Sequence, residues 1–197
     1  MKSSEVDLRI LDASRECEDE NNDSLIVLVN YREVAFIFTG DAEVEDDVCE
    51  GEIPILLDFY KDKKRLGKRI LDIDVYKVGH HGSHNATTED LMRALTPQIS
   101  VISAGIHLQH GPGKYHGFQF GHPREVTLSL LERFSSDSRA PVNIFSMFGQ
   151  KKVNAPRPLK KAVYCTCWDG DIRISSADGS ALRVQTSGRP DGNKPIN

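Results

Sequence analysis

The chain holds 197 residues, 39% hydrophobic and 27% charged, enough to bury a core of its own as one domain or one domain with an appendage. With 25 basic against 29 acidic side chains its formal charge is −4, which excludes a broad positive field for steering nucleic acid. No apolar run approaches a membrane span, and Met1-Lys-Ser-Ser-Glu5 lacks the hydrophobic stretch of a secretory leader, so the cytoplasm is the expected compartment.

Val6-Asp-Leu-Arg-Ile-Leu11 alternates and predicts a short strand. The acidic, Asn-rich stretch Cys17–Asp23 predicts a loop. Ser24–Asn30 and Glu33–Thr39 are strongly apolar runs around Tyr31-Arg32, a hairpin expected near the centre of a sheet. Asp41–Asp47 is acidic, with a helix following or bracketing it, and Pro54 is expected near a helix start. The basic stretch Lys61–Arg69 predicts a surface connection. Asp74–Gly79 is the next strand. Thr87 or Thr88 then caps a helix over Glu89–Leu95, whose first turn carries Glu89 and Asp90, and Pro97 ends it. Ile99–Ile102 predicts a fourth, buried strand, and Gly105–Gly121 a long loop rich in Gly, His and aromatic residues. His122-Pro123 opens a helix through Arg124–Phe134. Val142–Phe148, Ala162–Thr166, Asp171–Ile174 and Ala181–Gln185 predict strands, with turns at Asp169-Gly170 and Asp178-Gly179. Ser187–Asn197 predicts a disordered tail. Strands alternating with helices and then giving way to hairpins argue for an α/β layered domain with mixed sheets.

The chemistry concentrates where strands end. Gly40-Asp41 closes one apolar strand, and Gly79-His-His-Gly-Ser-His84 closes another, so a carboxylate and a histidine cluster predict a shared metal site. Asp41 reads equally well as a turn residue capping a helix. Adjacent strand residues point to opposite faces, so one of His80 and His81 approaches an ion; His80, where the strand ends, is preferred. His81 then orients substrate or accepts a supporting hydrogen bond. His84 is expected to face solvent or make a turn contact. His122, at a helix start, can bind an anion, donate a proton to a leaving oxygen, or simply cap the helix. The loop histidines His107, His110 and His116 lack a nearby Asp or Cys partner and fit a mobile, substrate-selecting loop.

Cys17, Cys49, Cys165 and Cys167 set no disulfide framework. Strand alternation sends Cys165 and Cys167 to one face, and they are expected as half-buried thiols in a reducing compartment. The basic runs Lys61–Arg69 and Lys151–Lys161 are either nucleic-acid contacts or solvated loops. Trp168, the sole tryptophan, is expected to anchor packing.

The order Asn22-Asp-Ser-Leu-Ile-Val-Leu28, Phe38-Thr-Gly-Asp-Ala-Glu43, Tyr76-Lys-Val-Gly-His-His-Gly-Ser83, Ser103-x-Gly105, Gly121-His-Pro123 and Tyr164-x-Thr-x-x-Asp-Gly170 resembles the metallo-β-lactamase superfamily. Within it, the order looks like that of the hydrolase domain at the C-terminus of the competence DNA-uptake channel protein. The resemblance implies a four-layer α/β/β/α sandwich with a binuclear site at one edge of its paired sheets. Residues 1–186 would be the C-terminal part of that domain, incomplete, and 187–197 a tail. The family's His-x-His-x-Asp-His ligands occur nowhere in the chain. What carries over implies Asp41, His80 and His81 as metal ligands and His122 and His81 as catalytic groups. Zn²⁺ or Mn²⁺ would belong to the complete protein and be weakly held or absent in this chain alone. The implied activity is metal-dependent hydrolysis of a phosphodiester in nucleic acid or a nucleotide. The alternative is a catalytically inactive, metal-poor binding or assembly module that self-associates or takes up a missing N-terminal fragment.

Overall fold

Two apolar runs fold back on one another at Arg32, whose left-handed backbone (φ 55°) turns β2 (Ile26–Tyr31) into β3 (Val34–Phe38). The computed structural model describes residues 6–12, 20–44, 53–54, 56–57, 71–105, 120–149 and 152–188. Within them the hairpin joins a six-stranded mixed sheet in the order β1-β2-β3-β4-β5-β10, built from β1 (Val6–Asp12), β4 (Val75–Lys77), β5 (Ile99–Ile102) and β10 (Val163–Cys165). The pairs β1–β2 and β2–β3 are antiparallel; β3–β4, β4–β5 and β5–β10 are parallel.

Register sets the two faces of this sheet. Leu28 opposes Ile37, Ile37 opposes Tyr76, and all three are at most 1% exposed. Against that face pack α1 (Glu89–Leu95) through Leu91, Met92 and Leu95, and α2 (Glu125–Phe134) through Leu128 and Leu131. Full burial of each such side chain contributes about 1.5–3 kcal/mol. Thr88 caps α1, its hydroxyl accepting from the Leu91 N–H at 3.2 Å. Glu89 ties the two helices together, pairing with Arg93 on its own helix and with Arg133 of α2 at 2.9 Å.

On the other face Leu8 opposes Val29, Val29 opposes Phe36, Phe36 opposes Val75, and Val75 opposes Ile99. A hairpin of β11 (Ile172–Ser175) and β12 (Arg183–Thr186) covers one end, setting Ile174, Leu182 and Val184 against Val75, Ile99 and Ala162. Towards β1 the face lies open, with Leu8 62% and Phe38 42% exposed. The architecture is therefore mixed α/β, helices on one face of the sheet and a hairpin over part of the other.

The last third departs most from expectation. Val142–Phe148 is not one strand; β6 (Ser138–Ile144) and β7 (Met147–Gly149) are separate. They pair respectively with β9 (Arg157–Lys161) and β8 (Lys152–Val153). Nor does Asp169-Gly170 join a hairpin: β10 enters the main sheet beside β5, a helical turn α3 (Thr166–Asp169) follows, and β11 belongs to another sheet. The turn at Asp178-Gly179 does link β11 to β12. It latches to the first hairpin, Glu33 N–H donating to the Gly179 carbonyl at 2.9 Å. Cys167 sits in α3, not on the strand, and both it and Cys165 are buried, so the pair is not half-buried on one strand. Trp168 is buried in the core at 4% exposure. Helix α2 begins one residue later than expected, with Arg124 as its N-cap and Pro123 just outside. The Lys61–Arg69 connection, most of the Gly105–Gly121 loop and of the 187–197 tail lie outside the described residues. No helix among the described residues is long and apolar enough to cross a membrane.

Candidate functional site

Because β3 and β4 are parallel, their C-terminal ends leave the sheet at the same edge. Gly40 takes φ 56° and the Asp41 N–H donates to Ser24 Oγ at 2.9 Å, which turns the Asp41 carboxylate out of the strand line. The two strand ends are stitched together by the His80 N–H donating to the Gly40 carbonyl at 3.1 Å. Gly79 allows this approach: a Cβ there would stand 2.9 Å from Thr39 Oγ1 and 3.2 Å from Ala86 Cβ.

Past Gly79 the chain is not extended. His80 (φ 42°) and His81 (φ 53°) are both left-handed, a conformation that costs a side-chain-bearing residue about 1–2 kcal/mol. The turn is closed by the Ser83 N–H donating to the His80 carbonyl at 2.8 Å, and Gly82 (φ 85°) abuts Pro123. The two imidazoles consequently splay into different surroundings.

His81 faces Asp41, with Nε2 3.7 Å from Oδ2, and its Nδ1 lies 2.5 Å from the Ser103 carbonyl oxygen. A carbonyl only accepts, so Nδ1 carries the proton. Nε2 then presents either a lone pair or a second proton to the carboxylate, and a lone pair there is matched by a cation. Both side chains are open to solvent, His81 46% and Asp41 37% exposed. His80 turns instead to Glu43, Nδ1 lying 2.7 Å from Oε1 in a largely buried contact whose angle falls outside hydrogen-bond geometry. The preference for His80 beside Asp41 is thus not what the backbone produces; His81 takes that place. Glu43, two residues beyond Asp41 in the same Gly-Asp-Ala-Glu motif, was not singled out from the sequence, and that spacing was the signal for it.

His122 completes the wall, its ring centroid 5.3 Å from that of His80. It is buried, its Nδ1 without a partner among the described residues, and burial lowers its pKa from 6.5 to about 4, helped by the nearby His80 and Arg124. Neutral at pH 7, this ring accepts a hydrogen bond far more readily than it donates a proton. It also lies two residues before the Arg124 N-cap, outside the first turn of α2. Lys77 points its Nζ to the Val78 carbonyl at 3.0 Å; burial lowers its pKa, while Asp41 acts in the opposite direction. His84 is exposed and, with Arg124, Val126, Met147 and Phe148, lines a cavity of about 470 Å³. Of the second basic run, Arg157 is neutralised by Glu125 and Glu132 at 2.8 and 2.6 Å. His107, His110 and His116 lie outside the described residues.

Among the described residues no group of three or more His, Cys, Asp and Glu side chains converges to hold a metal. Asp41 and His81 supply two donors whose 3.7 Å separation suits two bonds of roughly 2.0–2.2 Å to one ion. A catalytic zinc takes three protein ligands and leaves a fourth position for water. The described residues therefore supply two donors to one metal's shell and, by themselves, do not complete a binuclear centre.

Over 116 residues the chain is 34% identical to ComE operon protein 3 of Bacillus subtilis (strain 168), covering 59% of this chain and 12% of that protein. Over 135 residues it is 29% identical to Recombination protein 2 of Haemophilus influenzae, covering 68% of this chain and 13% of that protein. The chain thus spans about an eighth of the length of these curated relatives. No protein-family model matches it.

Proposed function

We propose that this chain is a metal-poor binding and assembly module, derived from the C-terminal portion of a four-layer α/β/β/α metallo-β-lactamase-like sandwich. The observation that carries the reading is the two-donor site: Asp41 and His81 meet at 3.7 Å while His80 turns away towards Glu43 and His122 is buried and neutral. Two further observations agree with it. The open apolar sheet face lies where a second sheet of such a sandwich would pack, and both relatives are far longer than the stretch they share with this chain. In a complete protein, further donors from elsewhere would join Asp41 and His81 around Zn²⁺ or Mn²⁺, which would supply an activated water for phosphodiester hydrolysis. This chain contributes the carboxylate and the imidazole fixed by the Ser103 carbonyl.

The test is elemental analysis of the purified chain after dialysis against zinc or manganese, with a phosphodiester turnover assay alongside. The expected result is less than one tightly held equivalent and no metal-dependent turnover. Two retained equivalents with metal-dependent hydrolysis would overturn the reading in favour of a self-sufficient hydrolase.

A further inference from the structure

Among the described residues the six-stranded sheet ends in a strand with one side unpaired. β1 is seven residues long, contains neither Pro nor Gly, and among the described residues its only ladder is with β2. The irregularity in that ladder falls between Ile10 and Asp12, which leaves Val6–Ile10 regular. Exposed edges of this kind are ordinarily blunted by Pro, by bulges or by charged side chains. Within Val6–Ile10 the charges are one of each sign, able to pair across a two-fold: Asp7 and Arg9 lie on the same face, in contact at 2.6 Å. The opposite face presents Val6, Leu8 and Ile10, each 55–62% exposed.

That five-residue pattern matches itself in one arrangement. In an antiparallel pairing about a two-fold axis through Leu8, Leu8 meets Leu8, Val6 meets Ile10, and Asp7 meets Arg9 on both sides of the axis. An axis through residue 7 sets Asp7 against Asp7, and one through residue 9 sets Arg9 against Arg9. A one-residue slip puts apolar side chains opposite charged ones, because neighbouring strand residues point to opposite faces. Directly opposed like charges destabilise a strand pair, whereas opposite charges and apolar pairs stabilise it. We propose that the free edge of β1 docks a second copy of this chain through this antiparallel, Leu8-centred register, giving a two-fold dimer with a continuous sheet. The contact between Asp7 and Arg9 within one strand is exchanged for two symmetric contacts between strands, which select the register while the ladder and the apolar pairs supply affinity. The proposal rests on the assembly reading above only in taking the chain to be an assembling module. Metal retention tests that reading without reference to β1, and the pairing test needs no metal.

The test is size-exclusion chromatography with light scattering on the full chain, across the micromolar range. The wild type is expected to form a dimer. Leu8→Lys, which sets two ammonium groups on the axis, weakens it at least about tenfold. Asp7→Arg and Arg9→Asp each oppose like charges and are expected to be monomeric alone. Mixed in equal amounts they form a heterodimer, and the double exchange restores the homodimer. Circular dichroism verifies that each variant is folded, and the heterodimer itself shows that both single variants keep a competent edge. A wild type that stays monomeric throughout overturns the proposal and leaves the edge to a different chain. A dimer indifferent to Leu8→Lys, or single variants that fail to pair on mixing, overturns the register and with it the proposal.

Discussion

Acidification isolates one buried group whose contribution can be followed by calorimetry. His122 is 8% exposed, and its pKa falls from 6.5 to about 4 because burial opposes the charged ring, with His80, Arg124, His81 and His84 adding positive charge nearby. The folded pKa lies below the unfolded one, so the unfolded chain binds the extra proton and stability falls as pH drops from about 6.5 towards 4. Linkage between those two values gives a loss of up to about 2 kcal/mol between about pH 7 and pH 5, most of it below pH 6.5. His122→Leu keeps an apolar side chain in the cavity and removes the proton. Unfolding of both proteins by differential scanning calorimetry at a series of pH values separates this group from the carboxylates, which titrate alike in the two. The wild type is expected to lose about 2 kcal/mol more than the variant over that interval. Parallel stability curves would refute the reasoning, because they would mean His122 carries the same proton folded and unfolded.

Two further perturbations test the packing that positions the site. Gly82→Ala, at φ 85° with a Cβ that would stand 2.8 Å from Pro123 Cβ, is expected to cost about 1–3 kcal/mol, read as a lower urea midpoint; an unchanged midpoint would show that this turn yields freely. Arg139 holds the buried Asp169 carboxylate at 2.7 Å and stacks over Tyr164 at 4.2 Å, so Arg139→Met strands a buried charge and should cost about 3–5 kcal/mol in the same assay; a loss below about 1 kcal/mol would place Asp169 in contact with water.

Where apolar spacing dictates structure, the elements were legible in the sequence. Glu89–Leu95 and Ile99–Ile102 fall where pattern and caps put them, since Thr88 caps the one and burial on both faces writes the other as an apolar run interrupted only by Ser100. β9 was missed because Arg157-Pro-Leu-Lys-Lys161 buries only Leu159 and carries a proline, which single-segment patterning reads as loop. The turn after β10 was misread because Asp169-Gly170 signals a hairpin locally, while the partner of β10 is β5, far away in the chain. At the site, the meeting of Asp41 with the histidine cluster followed from two strands ending side by side. Which histidine meets Asp41 did not, because the strand rule assumes extended backbone and His80 and His81 are both left-handed.

The parallel pairing of β5 with β10 also fixes an order in time. Ser100 pairs with Val163, so the ribosome must deliver most of the final third of the molecule before β5 gains its second neighbour. The first hairpin, β1 included, is synthesised long before that. Ring closure over so long a stretch lowers chain entropy before the ladder returns any stability, which makes late sheet closure slow. Throughout that interval the nascent sheet carries two raw edges, β1 at one side and β5 at the other, and a chaperone or a second nascent chain meets both at once.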